Sequence, residues 1–155
     1  MTDSSTLPWF LRPAVPDERE RLEALQRRAS LNNPGDREAL LAHPDAIAIP
    51  VDQIARGEVV GAESRGTIVG FGAILARPDG DTDLDGLFVE PAYWGRGIGR
   101  TLVEACVGMA RAKGSHGLHV IGNPHAEAFY TRCGFERTGV VATRFGPGLA
   151  MRRTV

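Results

Sequence analysis

Apolar residues recur along the chain with two different periods, and the change between them marks out its elements. Leu22, Leu25 and Ala29 in "DERERLEALQRRAS" lie three or four positions apart, the spacing of one helix face. Pro16 and Asp17 suit the first turn of that helix, and "WFLRPA" before it is a short strand. "NNPG" breaks the helix, "DREALLAH" forms another before Pro44, and residues 45–57 follow neither period. From Glu58 the texture becomes β. "EVVGAES" and "TIVGFGAILAR" flank Arg65-Gly66, which predicts a hairpin, and "PDGD" turns the chain into a third strand, "TDLDGLFVE". Helical spacing returns at Ile98, Leu102, Cys106, Met109 and Ala110 and stops at Lys113-Gly114, where a cation and a glycine are each favoured. "GLHVIG" is then a strand, and "PHAEAFYTRC" is a helix opened by proline and closed at Gly134. "FERTGVVATRF" and "LAMRRTV" are two last strands, joined by "GPG".

The predicted order is one strand, two helices, three strands, a helix, a strand, a helix and two strands. This is an α/β (α+β) fold with a mixed, largely antiparallel central sheet flanked by helices and one β–α–β crossover in its second half. A length of 155 residues fits a single domain over 1–155, with the polar segment 1–8 expected to be flexible. A late strand at 149–155, if left at a sheet edge, would support a homodimer.

Composition narrows the partners. A net charge of −1 offers no basic surface for nucleic acid. No cationic leader opens the chain and no apolar run approaches the ~20 residues of a membrane span, so a cytoplasmic protein is expected. Cys106 and Cys133 are too few and too far apart for a disulfide framework. Cys106 falls on the apolar helix face as a small core residue, whereas Cys133, beside a glycine at a helix end, is expected to be partly exposed. No spacing of His, Cys and Asp suggests a metal.

Gly95, Gly97 and Gly99 sit between an apolar strand and the start of an amphipathic helix. A helix begins with unpaired N–H groups carrying roughly half a positive charge, which favours an anion there. Glycines remove the β-carbons that would hold a pyrophosphate away from those donors, and Arg96 and Arg100 add charge. The plain alternative is a turn. A P-loop would need Gly-Lys-Ser/Thr, which does not follow. A dinucleotide fingerprint would need Gly-x-Gly-x-x-Gly and a carboxylate ending the next strand, and neither is present.

"LFVEPAYWGRGIGRTLVEA" resembles the acyl-CoA-binding motif of the GNAT N-acetyltransferase superfamily, a strand ending Val-x-Pro followed by Gln/Arg-x-x-Gly-x-Gly/Ala. In register the signature falls on Trp94, Gly95, Arg96, Gly97, Ile98 and Gly99, with Trp94 replacing the usual Gln or Arg. "NPHAEAFYTRCGF" is similar to the family's second signature, Asn-x-x-Ala-x-x-Phe-Tyr-x-x-x-Gly-Phe. The resemblance covers residues ~57–140 well and the N-terminal third loosely. It implies an acetyl-CoA-dependent N-acetyltransferase acting by direct transfer to a primary amine of a small molecule or peptide. A non-catalytic acyl-CoA-binding or regulatory module on the same scaffold is the alternative.

Such transfer needs a neutral amine, a polarised thioester carbonyl, a proton for the departing thiolate and close positioning. By the same resemblance, main-chain groups of Phe88 and Val89 pair with the pantetheine arm, where the strand splays. Gly86 either eases that bend or leaves room for a neighbour. Tyr130 matches the family's tyrosine acid, with Phe129 as its core neighbour. Asn123 matches an Asn that touches the pantetheine arm, and it also suits a helix N-cap. Asp83 falls where the family often carries a basic glutamate, and Asp85 shares its strand face, although both also read as a solvated strand end. Glu90, expected to point away, and His125 are further candidate bases, while His116 and His119 look structural or exposed. Trp9, Tyr93, Trp94 and the N-terminal helices are expected to shape the acceptor pocket. The acidic run at Asp79, Asp81, Asp83 and Asp85 would attract a cationic amine.

Overall fold

A computed structural model describes residues 8–33, 35–144 and 146–155, so most of the segment expected to be flexible lies outside the described residues. A first strand, β1 (Phe10–Pro13), leads through a 3-10 turn at Pro16–Glu18 into α1 (Arg19–Leu31). Two short helices follow, α2 (Asp36–Ala42) and α3 (Val51–Ala55). The meander is β2 (Val59–Ser64), β3 (Thr67–Ala76) and β4 (Thr82–Val89). Then come α4 (Ile98–Ala112), β5 (Gly117–Gly122), α5 (Glu127–Arg132), β6 (Glu136–Thr143) and β7 (Gly146–Thr154).

Three features differ from the sequence reading. The α3 helix occupies part of the segment without a period, because five residues are too few to display one. "GPG" is not the last turn: Gly146 and Pro147 already pair with Thr143 and Ala142 as the start of β7. Strand β7 is not an edge either. The sheet runs β1-β2-β3-β4-β5-β7-β6, so β7 is paired on both sides and the edges are β1 and β6. The route to a homodimer through 149–155 is therefore closed.

The hairpin turns at Arg65 (φ 52°) and Gly66 (φ 78°), the left-handed pair that a two-residue turn requires. All neighbouring strands are antiparallel except β4 and β5, which α4 connects as the crossover. Helices cover both faces. On one, Ile98, Leu102, Val103, Cys106, Val107 and Ala110 of α4 are buried against Ile74, Leu84 and Leu118. On the other, Leu22, Leu25 and Ile54 of the N-terminal helices meet Val59, Phe71 and Ala73. Trp9 is buried in the α4 cluster and so lies in the core, not in an acceptor pocket. No helix among the described residues is long and apolar enough to cross a membrane.

What positions the site is the way β4 leaves β5. The two strands pair only at Thr82↔Leu118 and Asp83↔His119 and then diverge. The divergence begins next to a bulge. Ala73 pairs with Gly86 and Ile74 with Leu84, so Asp85 is the extra residue of β4 and Gly86 sits beside it, bending the strand.

Candidate active site

The splay opens a cleft of about 550 Å³ between β4, the start of α4 and α5, with residues of α1 and α2 on its far wall. Its β4 side is lined by Leu87, Phe88 and Val89. The main-chain groups that face it follow from the ladder. The Glu90 N–H donates to Val69 O, which makes Phe71↔Phe88 a hydrogen-bonded pair and turns the main chain of Leu87 and Val89 away from β3. Of the expected pair Phe88 and Val89, the main chain of Phe88 is used by β3, and the main-chain groups that face the cleft are those of Leu87 and Val89. Alternation along β4 was the signal for Leu87.

At the loop, Gly95 (φ 78°) and Gly97 (φ 83°) adopt the left-handed conformation, and a Cβ on either would meet no protein atom within 4 Å. Gly97 is the N-cap of α4, and no side chain caps the helix. The first intrahelical bond runs from Thr101 N–H to Gly97 O, so the N–H groups of Ile98, Gly99 and Arg100 have no acceptor among the described residues. Bare donors behind glycines form a cradle that fits a pyrophosphate. Gly99 is glycine for another reason: a Cβ there would lie 3.3 Å from Phe129 Cζ, so its absence lets α5 pack on α4. Arg100 lines the cleft, whereas the Arg96 guanidinium stacks 4.8 Å from the Tyr93 ring centroid and does not line it. Trp94 donates from Nε1 to Val89 O at 2.7 Å.

At the other end stands Tyr130. It is only 9 % exposed, edge-on to Phe129 (5.2 Å) and Phe135 (5.5 Å). The expected division of labour is corrected, for Tyr130 is buried more deeply than Phe129, and both line the cleft. The Tyr130 hydroxyl has no hydrogen bond among the described residues, yet none of their buried side-chain polar atoms is left without a partner, so the hydroxyl opens onto the cleft. Burial pushes the phenol well above its usual value of 10.0. Asn123 caps the turn after β5, its side-chain oxygen accepting from His125 N–H at 2.9 Å. His125 also lines the cleft. Cys133 is buried, not partly exposed, and burial raises its thiol pKa.

The acidic run is not brought to the cleft. Asp83 pairs with Arg77 at 2.9 Å, and Asp85 accepts from Gln53 Nε2 at 3.3 Å. Neither lines the cleft, and each carboxylate is engaged elsewhere, Asp83 by Arg77 just after β3 and Asp85 by Gln53 of α3, which goes against their expected role as bases. Asp79 pairs with the same Arg77 at 3.1 Å. Asp81 accepts from the N–H groups of His116 and Gly117 at 3.1 Å each and lies 2.8 Å from His119 Nε2, so it ties the turn before β4 to β5. Asp79, Asp81 and His119 place their ligand atoms within 4.8 Å of one another, a convergence created by the β4–β5 pairing and invisible in spacing. Glu90 points away from the cleft, as expected, into a two-pronged pair with Arg28 (2.8 Å for each bond). Among the lining residues that the sequence reading missed are Asp36, Asn33, Arg132 and Leu87.

The model of the acetyltransferase (GNAT) family matches residues 21–135. The chain belongs to this family. Among curated relatives, it is 42 % identical over 85 residues to the N-alpha-acetyltransferase RimI of Mycobacterium tuberculosis, covering 52 % of this chain and 53 % of that one. It thus spans about half the length of that relative. Solved GNAT structures share the fold. The GCN5-related N-acetyltransferase from Rhodopseudomonas palustris superposes with a TM-score of 0.74 at 24 % identity, over 94 % of this chain and 95 % of that one. The PaiA N-acetyltransferase from Thermoplasma acidophilum, solved in complex with coenzyme A, gives 0.75 at 18 % identity, over 95 % and 99 %.

Proposed function

We propose that the protein transfers the acetyl group of acetyl-CoA directly to a primary amine, with the α-amine of a peptide as the acceptor class. One observation carries this reading: the cleft has uncapped backbone N–H donors at one end and an unpartnered phenol at the other. The family and the RimI relative support amine acetylation.

Each part of the cleft has work in that reaction. The N–H groups of Ile98, Gly99 and Arg100, with the Arg100 side chain, hold the pyrophosphate of coenzyme A. Main-chain groups of Leu87 and Val89 line the path of the pantetheine arm. Bound acetyl-CoA supplies the activated acetyl group as a thioester. Tyr130 gives its proton to the departing sulfur, and its raised pKa keeps that proton in place at neutral pH. The ammonium of the acceptor first loses one proton to solvent, which makes the amine nucleophilic. As the amide forms, its nitrogen gives one further proton to the phenolate, which restores the phenol and leaves a single N–H on the amide. Both cysteines are free, in keeping with a reducing, cytoplasmic setting.

The test is thiol release from acetyl-CoA in the presence of trialanine amide, with mass spectrometry of the peptide. Acetylated peptide formed in step with free thiol is the expected result. Binding of acetyl-CoA without transfer to this or any screened amine would leave the non-catalytic acyl-CoA-binding module instead.

A further inference from the structure

Among the described residues that line the cleft, Asp36 is the only carboxylate. It stands in a charged neighbourhood of the opposite sign, since Arg100 and Arg132 line the same space. Asp36 begins α2 and is held by a residue 87 positions away: Asn123 donates from Nδ2 to Asp36 Oδ1 at 3.0 Å. The direction of that bond is fixed, because Asn123 Oδ1 is engaged by the His125 N–H at 2.9 Å. The second oxygen, Oδ2, has no hydrogen bond among the described residues. The carboxylate is therefore half-buried, oriented from one side and free on the other.

Its position relative to Tyr130 gives this arrangement a purpose. The Tyr130 ring packs against Gly122, where a Cβ would lie 3.2 Å from its Cε2. Gly122 directly precedes the Asn123 that holds Asp36, so carboxylate and phenol share one end of the cleft. A fixed anion there works against a developing thiolate unless a cation sits between them. Neither Arg100 nor Arg132 pairs with Asp36, whose Oδ2 is left for an acceptor amine that arrives as an ammonium. Its nitrogen, drawn to Oδ2, would then lie beside the phenol that marks the sulfur.

We infer that Asp36, oriented by Asn123, is the residue that binds the ammonium of the acceptor and so selects cationic primary amines over neutral or acidic groups. This rests on the transferase reading for the identity of the bound amine, and it assigns specificity to α2, a segment that carries neither signature motif. A charge-assisted hydrogen bond of this kind contributes roughly 1.5–3 kcal/mol, or about tenfold to a hundredfold in affinity.

The experiment measures binding of trialanine amide to the protein saturated with coenzyme A, by calorimetry, alongside steady-state kinetics. Trialanine amide carries its α-ammonium as its one cation, and N-acetyl-trialanine amide is the neutral control. Wild type is expected to bind the first and not the second. Asp36→Asn keeps an oxygen for Asn123 and removes the charge. It is expected to weaken amine affinity and raise amine KM by at least about tenfold, leaving acetyl-CoA KM within about twofold and the melting temperature unchanged. Asp36→Glu is expected to recover most of the loss.

Unchanged amine affinity in Asp36→Asn, an equal loss in acetyl-CoA affinity, or equal binding of the acetylated control overturns the inference. Turnover that survives Asp36→Asn with unaltered amine KM sinks it while leaving the transferase reading intact. Asp36-dependent binding without thiol release would do the reverse.

Discussion

Trp94 and Val89 are joined by a hydrogen bond from the indole Nε1 to the main-chain oxygen at 2.7 Å, which fastens the glycine loop to the end of β4. That oxygen faces the cleft, so the indole occupies an acceptor at the mouth proposed for the cofactor arm. Trp94 is 43 % exposed, and the other tryptophan, Trp9, is 7 % exposed in the core. Addition of coenzyme A is therefore expected to change the intrinsic fluorescence in a saturable way through Trp94. The change should vanish in Trp94→Phe and persist in Trp9→Phe. A silent wild type under saturating coenzyme A would put the cofactor away from this loop.

The cradle is testable at Gly97. A side chain there meets no protein atom, so replacement costs only backbone strain at φ 83°, about 1–2 kcal/mol. Gly97→Val should melt a few degrees lower and lose coenzyme A affinity by at least about tenfold, read by calorimetry. Gly97→Asn, a residue type that tolerates the left-handed region, keeps the loop's shape while adding bulk and should also weaken binding. Normal affinity in both variants would remove the pyrophosphate from residues 95–99.

Tyr130→Phe keeps the ring between Phe129 and Phe135 and deletes the proton donor. We expect kcat to fall by at least about tenfold while coenzyme A affinity is retained. The direction of the pKa shift adds a second expectation. Burial raises the phenol, so its ionisation cannot produce a fall in wild-type kcat below its ordinary value of 10.0. A basic limb below that value that disappears in Tyr130→Phe would contradict a buried acid.

Most of the sheet was legible because alternation and turn chemistry are local. The Arg65-Gly66 hairpin and the amphipathic α4 needed only their own residues to be read, and the two signatures located the loop and Tyr130. What escaped depends on residues that meet only after folding. Asp36 enters the cleft because Asn123, 87 positions on, reaches it. Asp83 and Asp85 looked like bases because the sequence displays a carboxylate but not the Arg77 or Gln53 that engages it. The position of β7 inside the sheet was hidden for the same reason, since strand order between β5, β6 and β7 is decided by pairing across the sheet and not along the chain.

Asp81, one group of that run, has a structural role that pH can expose. Asp81 holds the N–H groups of His116 and Gly117 and the ring of His119, and the His119 hydrogen bond is the largest cause lowering its pKa from 3.8 to about 2. A carboxylate depressed in the folded state stabilises it fully above the unfolded value and loses that contribution as pH falls toward the folded one. The melting temperature of the wild type should therefore exceed that of Asp81→Asn at neutral pH, and the gap should close as pH falls from about 4 to about 2. Asp79→Asn is the control, because its carboxylate is more exposed and its partners are Arg77 and the Asp81 N–H. If the Asp81→Asn gap stays constant across that window, the Asp81 contacts do not hold the crossover in place. The register of β4 against β5, and with it the splay that opens the cleft, must then be maintained by the buried Thr82–Ser115 hydrogen bond of 2.7 Å and the packing of Leu84 and Leu118.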